Sequence, residues 1–371
     1  MKYYFIAGER SGDLHCANLY KSIKEIDNDA TATGIGGGFM HDAGINLVKN
    51  YEELALIGIW EILEKLGDIR SALKQVKKEL SQNKPDVLIL VDYAGFNLRV
   101  AKFAKELGIK VFYYISPKIW AWDEGRVKKI KAYVDRMFVI LPFEKEFYKK
   151  HEYEVDYIGN PILDAIHEFK PNPNFVKDNS LDDKPIIAIL PGSRNKEIES
   201  TLFRMLSILP AFPNHQFVVA GVDNFPARYY ENFRRNGLVH IVYEQTYDLL
   251  KNAEMAIVTS GTATLETALF NVPQVVVYRV NILSYWIGKM LIKIKFISLV
   301  NLIAGKKVVT ELIQQDFQPA NIRFEMEQIQ VGGPGRKKIM EGYEEIFQKI
   351  GNPGASKRAA ELIFSYLQPK K

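Results

Sequence analysis

The chain has 371 residues, a net charge of +5, 47% hydrophobic and 25% charged residues, and one cysteine. That is globular composition with too much chain for one ordinary domain, so two domains are expected and extensive disorder is not. The lone Cys16 excludes an intrachain disulfide and suits a reducing, cytoplasmic setting, and the mild positive charge falls short of a nucleic-acid-binding signature while suiting a phosphorylated substrate or an anionic membrane surface.

In chain order, residues 2–7 read as a buried strand, 13–27 as a helix, 31–35 as a strand and 58–80 as a long helix. The continuously apolar run up to Val91 is a buried strand bounded by Lys84-Pro85 and Asp92. A helix (97–107), a strand (110–114), a helix (125–132) and a strand (136–140) follow. Residues 167–185 are polar and rich in Pro, Asn and Asp, as a linker would be. The alternation restarts with a strand at Ile186–Leu190 and a helix at 196–209. Strands follow at Gln216–Ala220, His240–Tyr243, Met255–Thr259 and Gln274–Tyr278. Such alternation predicts parallel sheets with helices on both faces, and ligands at the carboxyl ends of the strands. Residues 279–303 interleave apolar side chains with Lys289, Lys293 and Lys295, which fits either a core helix with a solvated lysine face or an amphipathic surface helix. The opening apolar run is too short for a signal segment, and no run of about 18 apolar residues occurs.

Two strand-to-helix turns in the second half carry the strongest chemical signal. Gly192, Ser193 and Arg194 follow one strand, and Ser260, Gly261 and Thr262 follow another. A helix start offers unpaired N–H groups and a favourable dipole to a phosphate, and Arg194 adds a permanent cation with a fork shaped for its oxygens. Glu266, about one turn inside the second helix, is placed to accept the hydroxyls of a ribose. The alternative is a plain turn with a surface arginine, a capping Ser or Thr and a solvated glutamate. In the first half, Asp92 ends a strand where catalytic groups of open sheets project, as a base or as a turn residue bonding its own backbone. Trp120, with Lys118 and Trp122 nearby, is a candidate contact for an acyl chain or phosphate. The glycines after the first strand do not form a dinucleotide fingerprint, which counts against a nicotinamide or flavin enzyme. The six histidines show no paired metal-ligand spacing.

Several motifs in order resemble those of the lipid-A-disaccharide synthase family, the inverting glycosyltransferases of family 19. They are AGERSGD at 7–13, GGGFMHDAG at 36–44, VDYAGFN at 91–97, SPKIWAW at 116–122, LPFE at 141–144, GNPILD at 159–164, LPGSR at 190–194, SGTATLE at 260–266 and SLVNLIAG at 298–305. Each is weak alone, and the ordered set is specific. The resemblance implies an α/β GT-B architecture of two doubly wound Rossmann-like domains facing a central cleft. An acceptor domain at 1–166, a linker at 167–185, a UDP-sugar domain at 186–345 and a final helical part at 346–371, crossing back or exchanged in a homodimer, are expected. It implies transfer of 2,3-diacylglucosamine from UDP to 2,3-diacylglucosamine 1-phosphate, giving the β-1,6 disaccharide and UDP. It implies further that no cofactor, metal or nucleic acid takes part and that such an enzyme is peripheral to the inner membrane.

Carried over by position, the resemblance makes Asp92 the base and puts Arg194 at the UDP phosphates with Gly192, Ser193, Ser260, Gly261 and Thr262. Glu266 is the ribose ligand, Asn301 a further donor-side residue, and Glu9 and Ser11 the acceptor-side loop, which Trp120 joins. Two positions depart from the family pattern. Gly95 stands where a second acid is common, which concentrates the base role on Asp92, and Arg10 replaces a small residue. The competing readings are a UDP-sugar 2-epimerase and a non-catalytic sugar-nucleotide-binding protein.

Overall fold

The computed structural model describes residues 1–51, 66–222, 225, 228–234, 237–280 and 295–368. It divides into two compact units, Met1–His167 with Gly351–Lys371, and Glu168–Ile350.

Unit 1 is built on seven parallel strands: β1 (Lys2–Ala7), β2 (Thr31–Gly36), β3 (Asn46–Asn50), β4 (Val87–Val91), β5 (Lys110–Tyr114), β6 (Arg136–Val139) and β7 (Asp156–Tyr157), in the order β3-β2-β1-β4-β5-β6-β7. Unit 2 has β8 (Ile186–Leu190), β9 (Gln216–Gly221), β10 (Val239–Tyr243), β11 (Ala253–Thr259), β12 (Gln274–Tyr278) and β13 (Thr310–Ile313), in the order β10-β9-β8-β11-β12-β13. In each unit the first strand therefore lies beside the fourth, the point at which a doubly wound sheet reverses its winding and binds ligands. The near-continuous apolar strands are buried on both faces, as parallel sheets require. Alternate side chains separate into two cores: Tyr3, Phe5 and Ala7 point to one face of β1, Tyr4 and Ile6 to the other.

The helix Ala355–Leu367 belongs to unit 1, where Ala359, Ala360 and Ile363 complete the core behind Phe5 and Phe112. Its start is held by Asp164, some 190 residues earlier, whose carboxylate accepts the N–H groups of Gly354, Ala355 (3.1 Å) and Ser356 (2.9 Å). Arg358 adds bonds to the carbonyls of Ile158, Pro353 and Asn352 at 2.8–3.0 Å. The Pro- and Asn-rich segment after His167 carries the short helix Phe175–Asp178. Its Phe175 is buried in the core of unit 2, worth about 2 kcal/mol, and the N–H of Asn172 bonds Asp248 at 2.7 Å.

Three strands go beyond the sequence reading. β3, β7 and β13 are edge strands, short and half-buried, so none shows a continuous apolar run. The expected long helix is described from Leu66 to Asn83, and residues 58–65 lie outside the described residues, as does 281–294 of the apolar-basic stretch, with Lys289 and Lys293. Among the described residues no helix is long and apolar enough to cross a membrane.

Candidate active site

In unit 2, β8 and β11 run side by side with Leu190 beside Val258. Two residues further on, Gly192 and Ser260 leave the sheet at the same level. Paired strands are about 5 Å apart, so the two turns open next to each other at the carboxyl edge. Gly192 has φ +101°, and a Cβ there would lie 2.5 Å from a Glu197 carboxylate oxygen, so glycine is required. Ser193 and Arg194 stand exposed before the helix Asn195–Met205, and Arg194 Nη1 donates to Glu197 Oε1 at 3.1 Å.

The helix Thr262–Leu269 starts at Gly261, where a side-chain methyl would meet no described atom within 4 Å. Neither N-cap residue, Arg194 or Gly261, makes a side-chain cap bond, and each helix points the positive end of its dipole at its turn. Glu266 accepts a 2.8 Å bond from the Tyr247 hydroxyl at Oε1. Burial pushes the Glu266 carboxyl above its ordinary range, and the Tyr247 bond opposes the shift. Tyr247 is itself wedged against Phe169 and Phe270, with ring centroids 5.4 and 5.2 Å away.

In unit 1, Ala7 pairs with Val91, so Gly8 and Asp92 leave β1 and β4 together. Asp92 and Tyr93 both hold left-handed backbone, φ +43° and +42°, and the β-branched Ile115 beside them has φ +67°. Such conformations cost of order 1 kcal/mol or more each and persist where surrounding bonds over-determine them. The buried Asn97 amide donates to the carbonyls of Val91 (3.0 Å) and Asp92 (2.9 Å), the Tyr113 hydroxyl also donates to the Asp92 carbonyl, and the Asp92 N–H reaches Ile115 at 3.3 Å. Asp92 is thus a half-buried carboxylate on an immobilised turn. Across the strand pair, Ser11 Oγ donates to Glu9 Oε1 at 3.0 Å.

The family model described as lipid-A-disaccharide synthetase matches residues 3–364. The chain belongs to the lipid-A-disaccharide synthetase family. Membership makes it an enzyme of the hexosyltransferase class. Similar lipid-A-disaccharide synthases include that of Myxococcus xanthus, 38% identical with 98% of this chain and 97% of the relative covered. That of Coxiella burnetii is 37% identical over the same shares. Among solved structures the fold resembles the S. aureus MnaA–UDP co-structure (TM-score 0.67, 14% identity, 99% of this chain and 96% of that one). It also resembles the glycotransferase of kitacinnamycin (TM-score 0.66, 13% identity, 99% of each). The architecture is accordingly the GT-B one, shared by glycosyltransferases and UDP-sugar 2-epimerases.

Within the synthetase chain, two expected contact residues are occupied elsewhere. Asn301, expected on the donor side, is fully buried: its Oδ1 accepts from the N–H groups of Val308 (2.7 Å) and Val309 (3.0 Å), and its Nδ2 donates to the Val309 carbonyl (2.9 Å) and Glu311 (2.8 Å). Its bonding capacity is spent, so it fixes a loop rather than touching a nucleotide. That loop reaches the Ser260 turn at one remove, because Glu311 also holds the N–H groups of Ile297 and Ser298, and Ser260 Oγ donates to the Ile297 carbonyl at 3.0 Å. Asn301→Ala would strand buried N–H groups and is expected to cost about 3–5 kcal/mol of unfolding free energy, read by urea denaturation. A loss under about 1 kcal/mol would show that the network carries little.

Trp120, expected to meet the acceptor, is 8% exposed, and its Nε1–H donates to the buried Glu144 at 3.0 Å. Glu144 in turn accepts the N–H groups of Ile140 and Leu141, so Trp120 braces the start of the helix Pro142–Lys150. Asp13 does the same for the glycine cluster, accepting the N–H groups of Gly37 (2.6 Å), Phe39 (3.0 Å) and Met40 (3.2 Å). Sequence reasoning misses these roles of Tyr247, Asn97, Glu311 and Asp13. Asn97 and Asp13 stand inside family motifs, which is the available signal.

Proposed function

We propose that the protein moves 2,3-diacylglucosamine from UDP-2,3-diacylglucosamine to 2,3-diacylglucosamine 1-phosphate with inversion, forming the β-1,6 disaccharide phosphate and UDP. The observation that supports this best is the register of β8 and β11, which opens Gly192–Arg194 and Ser260–Thr262 side by side at the switch point of unit 2. The donor's diphosphate sits on these turns, and Glu266 accepts the ribose hydroxyls, with Tyr247 steadying one carboxylate oxygen. On unit 1, Asp92 takes the proton of the acceptor hydroxyl, whose oxygen attacks the anomeric carbon as the bond to UDP breaks. The charge that collects on the departing diphosphate is met by Arg194 and the main-chain amides at Gly261 and Thr262. Glu9 and Ser11 line the acceptor side. Both substrates are acylated, so the protein works as a cytoplasmic, peripheral enzyme at the inner-membrane surface.

The test is product analysis with both lipids in detergent and a chelator present. Disaccharide phosphate and UDP in equal amounts are expected. Epimerised donor without disaccharide would favour the isomerase reading, and UDP binding without any product would favour a sensor. Tyr247→Phe, which removes one hydroxyl, is expected to raise the donor KM about fivefold with kcat unchanged. Unaltered KM in initial-rate measurements would show that the hydroxyl is idle.

A further inference from the structure

On unit 1 the helices Ala94–Glu106 and Val127–Tyr133 enclose a groove of about 320 Å³. Arg99 and Lys102 line it from one helix, Lys129 from the other and Arg126 from the residue just before it, over a floor that includes Ala94 and Leu98. No carboxylate is among its described lining residues. Arg126 is ion-paired with Asp123 at 2.6 Å, and Arg99 donates to the Gly95 carbonyl at 2.8 Å, so two of the cations are held in place by their surroundings.

The groove adjoins Asp92. Ala94 and Gly95 follow it by two and three residues, which bounds the separation of their Cα atoms at about 11 Å. Both the Asp92 carboxylate and the Arg126 guanidinium act on the Tyr113 hydroxyl, the group that bonds the Asp92 carbonyl. A hydroxyl and a phosphate on opposite sides of one sugar ring match a carboxylate beside a cationic groove.

We infer that this groove is an anion site that takes the phosphate ester of the acceptor while Asp92 faces the attacking hydroxyl. The inference rests on the reading of Asp92 as acceptor-side base and of the acceptor as a sugar phosphate. Arg99, Lys102 and Lys129 are exposed. Changing them together to glutamine therefore leaves the core intact, and Arg126 stays in place with Asp123.

In detergent micelles the wild type is expected to prefer diacylglucosamine 1-phosphate to the same lipid without phosphate. The Arg99→Gln/Lys102→Gln/Lys129→Gln variant is expected to lose that preference, with acceptor KM raised about tenfold and kcat and donor KM unchanged. A variant that keeps the preference overturns the inference. So does a variant that loses binding to phosphatidylglycerol vesicles while its acceptor kinetics in micelles stay normal, because the groove then serves lipid headgroups. Calorimetric titration of glucosamine 1-phosphate reads the site without turnover: heat in the wild type and none in the variant supports it, and equal heats overturn it. Failure of the wild type to form disaccharide would sink the proposed reaction, while the titration still decides the groove.

Discussion

Arg194→Ala is expected to lower turnover at saturating donor at least about a hundredfold, with a melting temperature close to that of the wild type. The two halves of that result have separate causes. The Arg194–Glu197 pair is exposed on the Arg194 side, and pairs of that kind contribute about 0–1 kcal/mol to folding. The guanidinium is therefore kept near the turn without being committed to it, and can exchange Glu197 for a diphosphate. In the proposed reaction, charge on the leaving group grows as the glycosidic bond breaks, so the cation would contribute more to the transition state than to the bound donor. Removing one such donor from an oxyanion-type site typically costs about 3–4 kcal/mol of barrier. Arg194→Lys keeps the charge and loses the fork, and is expected to recover only part of the rate. A stable Arg194→Ala protein with near-normal kcat would remove the residue from the mechanism.

Asp92→Asn is expected to cost at least about a hundredfold in kcat, with donor binding unchanged. Asparagine is the informative replacement because position 92 has φ +43°, a left-handed conformation that Asn and Asp tolerate better than most residues. Alanine would add backbone strain at a turn already held by Asn97 and Tyr113, mixing a folding defect with a chemical one. The amide preserves shape and removes the ability to take up a proton. Calorimetry with UDP separates the steps: equal affinity with collapsed turnover assigns Asp92 to chemistry, whereas normal turnover would leave the acceptor hydroxyl to another base.

Inner strands are legible in the sequence where they are short, largely apolar and bounded by Gly, Pro or Asp. β1, β4, β5, β8 and β12 match their sequence expectation to within a residue. The edge strands are not legible, since β3 is half-polar and β7 spans only Asp156–Tyr157. The helix expected to begin at 97 starts at Ala94, because Asp92 and Tyr93 turn the chain within two left-handed residues, a conformation that their side chains do not announce.

For the site, the motifs point to these strand-to-helix turns but not to the division of labour inside them. Asn301 and Trp120 look like ligand contacts in one dimension, yet their polar atoms are claimed by Val308, Val309 and Glu311 in one case and by Glu144 in the other. Asp13 fixes a loop that lies about 25 residues ahead. Long-range hydrogen bonding of this kind leaves no periodic trace, so residue spacing does not reveal it.

The bonds of the Asp164 carboxylate also tie the first unit to a helix that is encoded after the whole of the second. Residues 168–350, a unit in themselves, are all available once they have cleared the ribosome, whereas the sheet that precedes them waits for Ala359, Ala360 and Ile363 to cover one face. The part translated first can thus be completed only after that last helix is made, and until then Phe5, Phe112 and Phe138 lack part of their cover, a period in which a nascent-chain chaperone has something to hold.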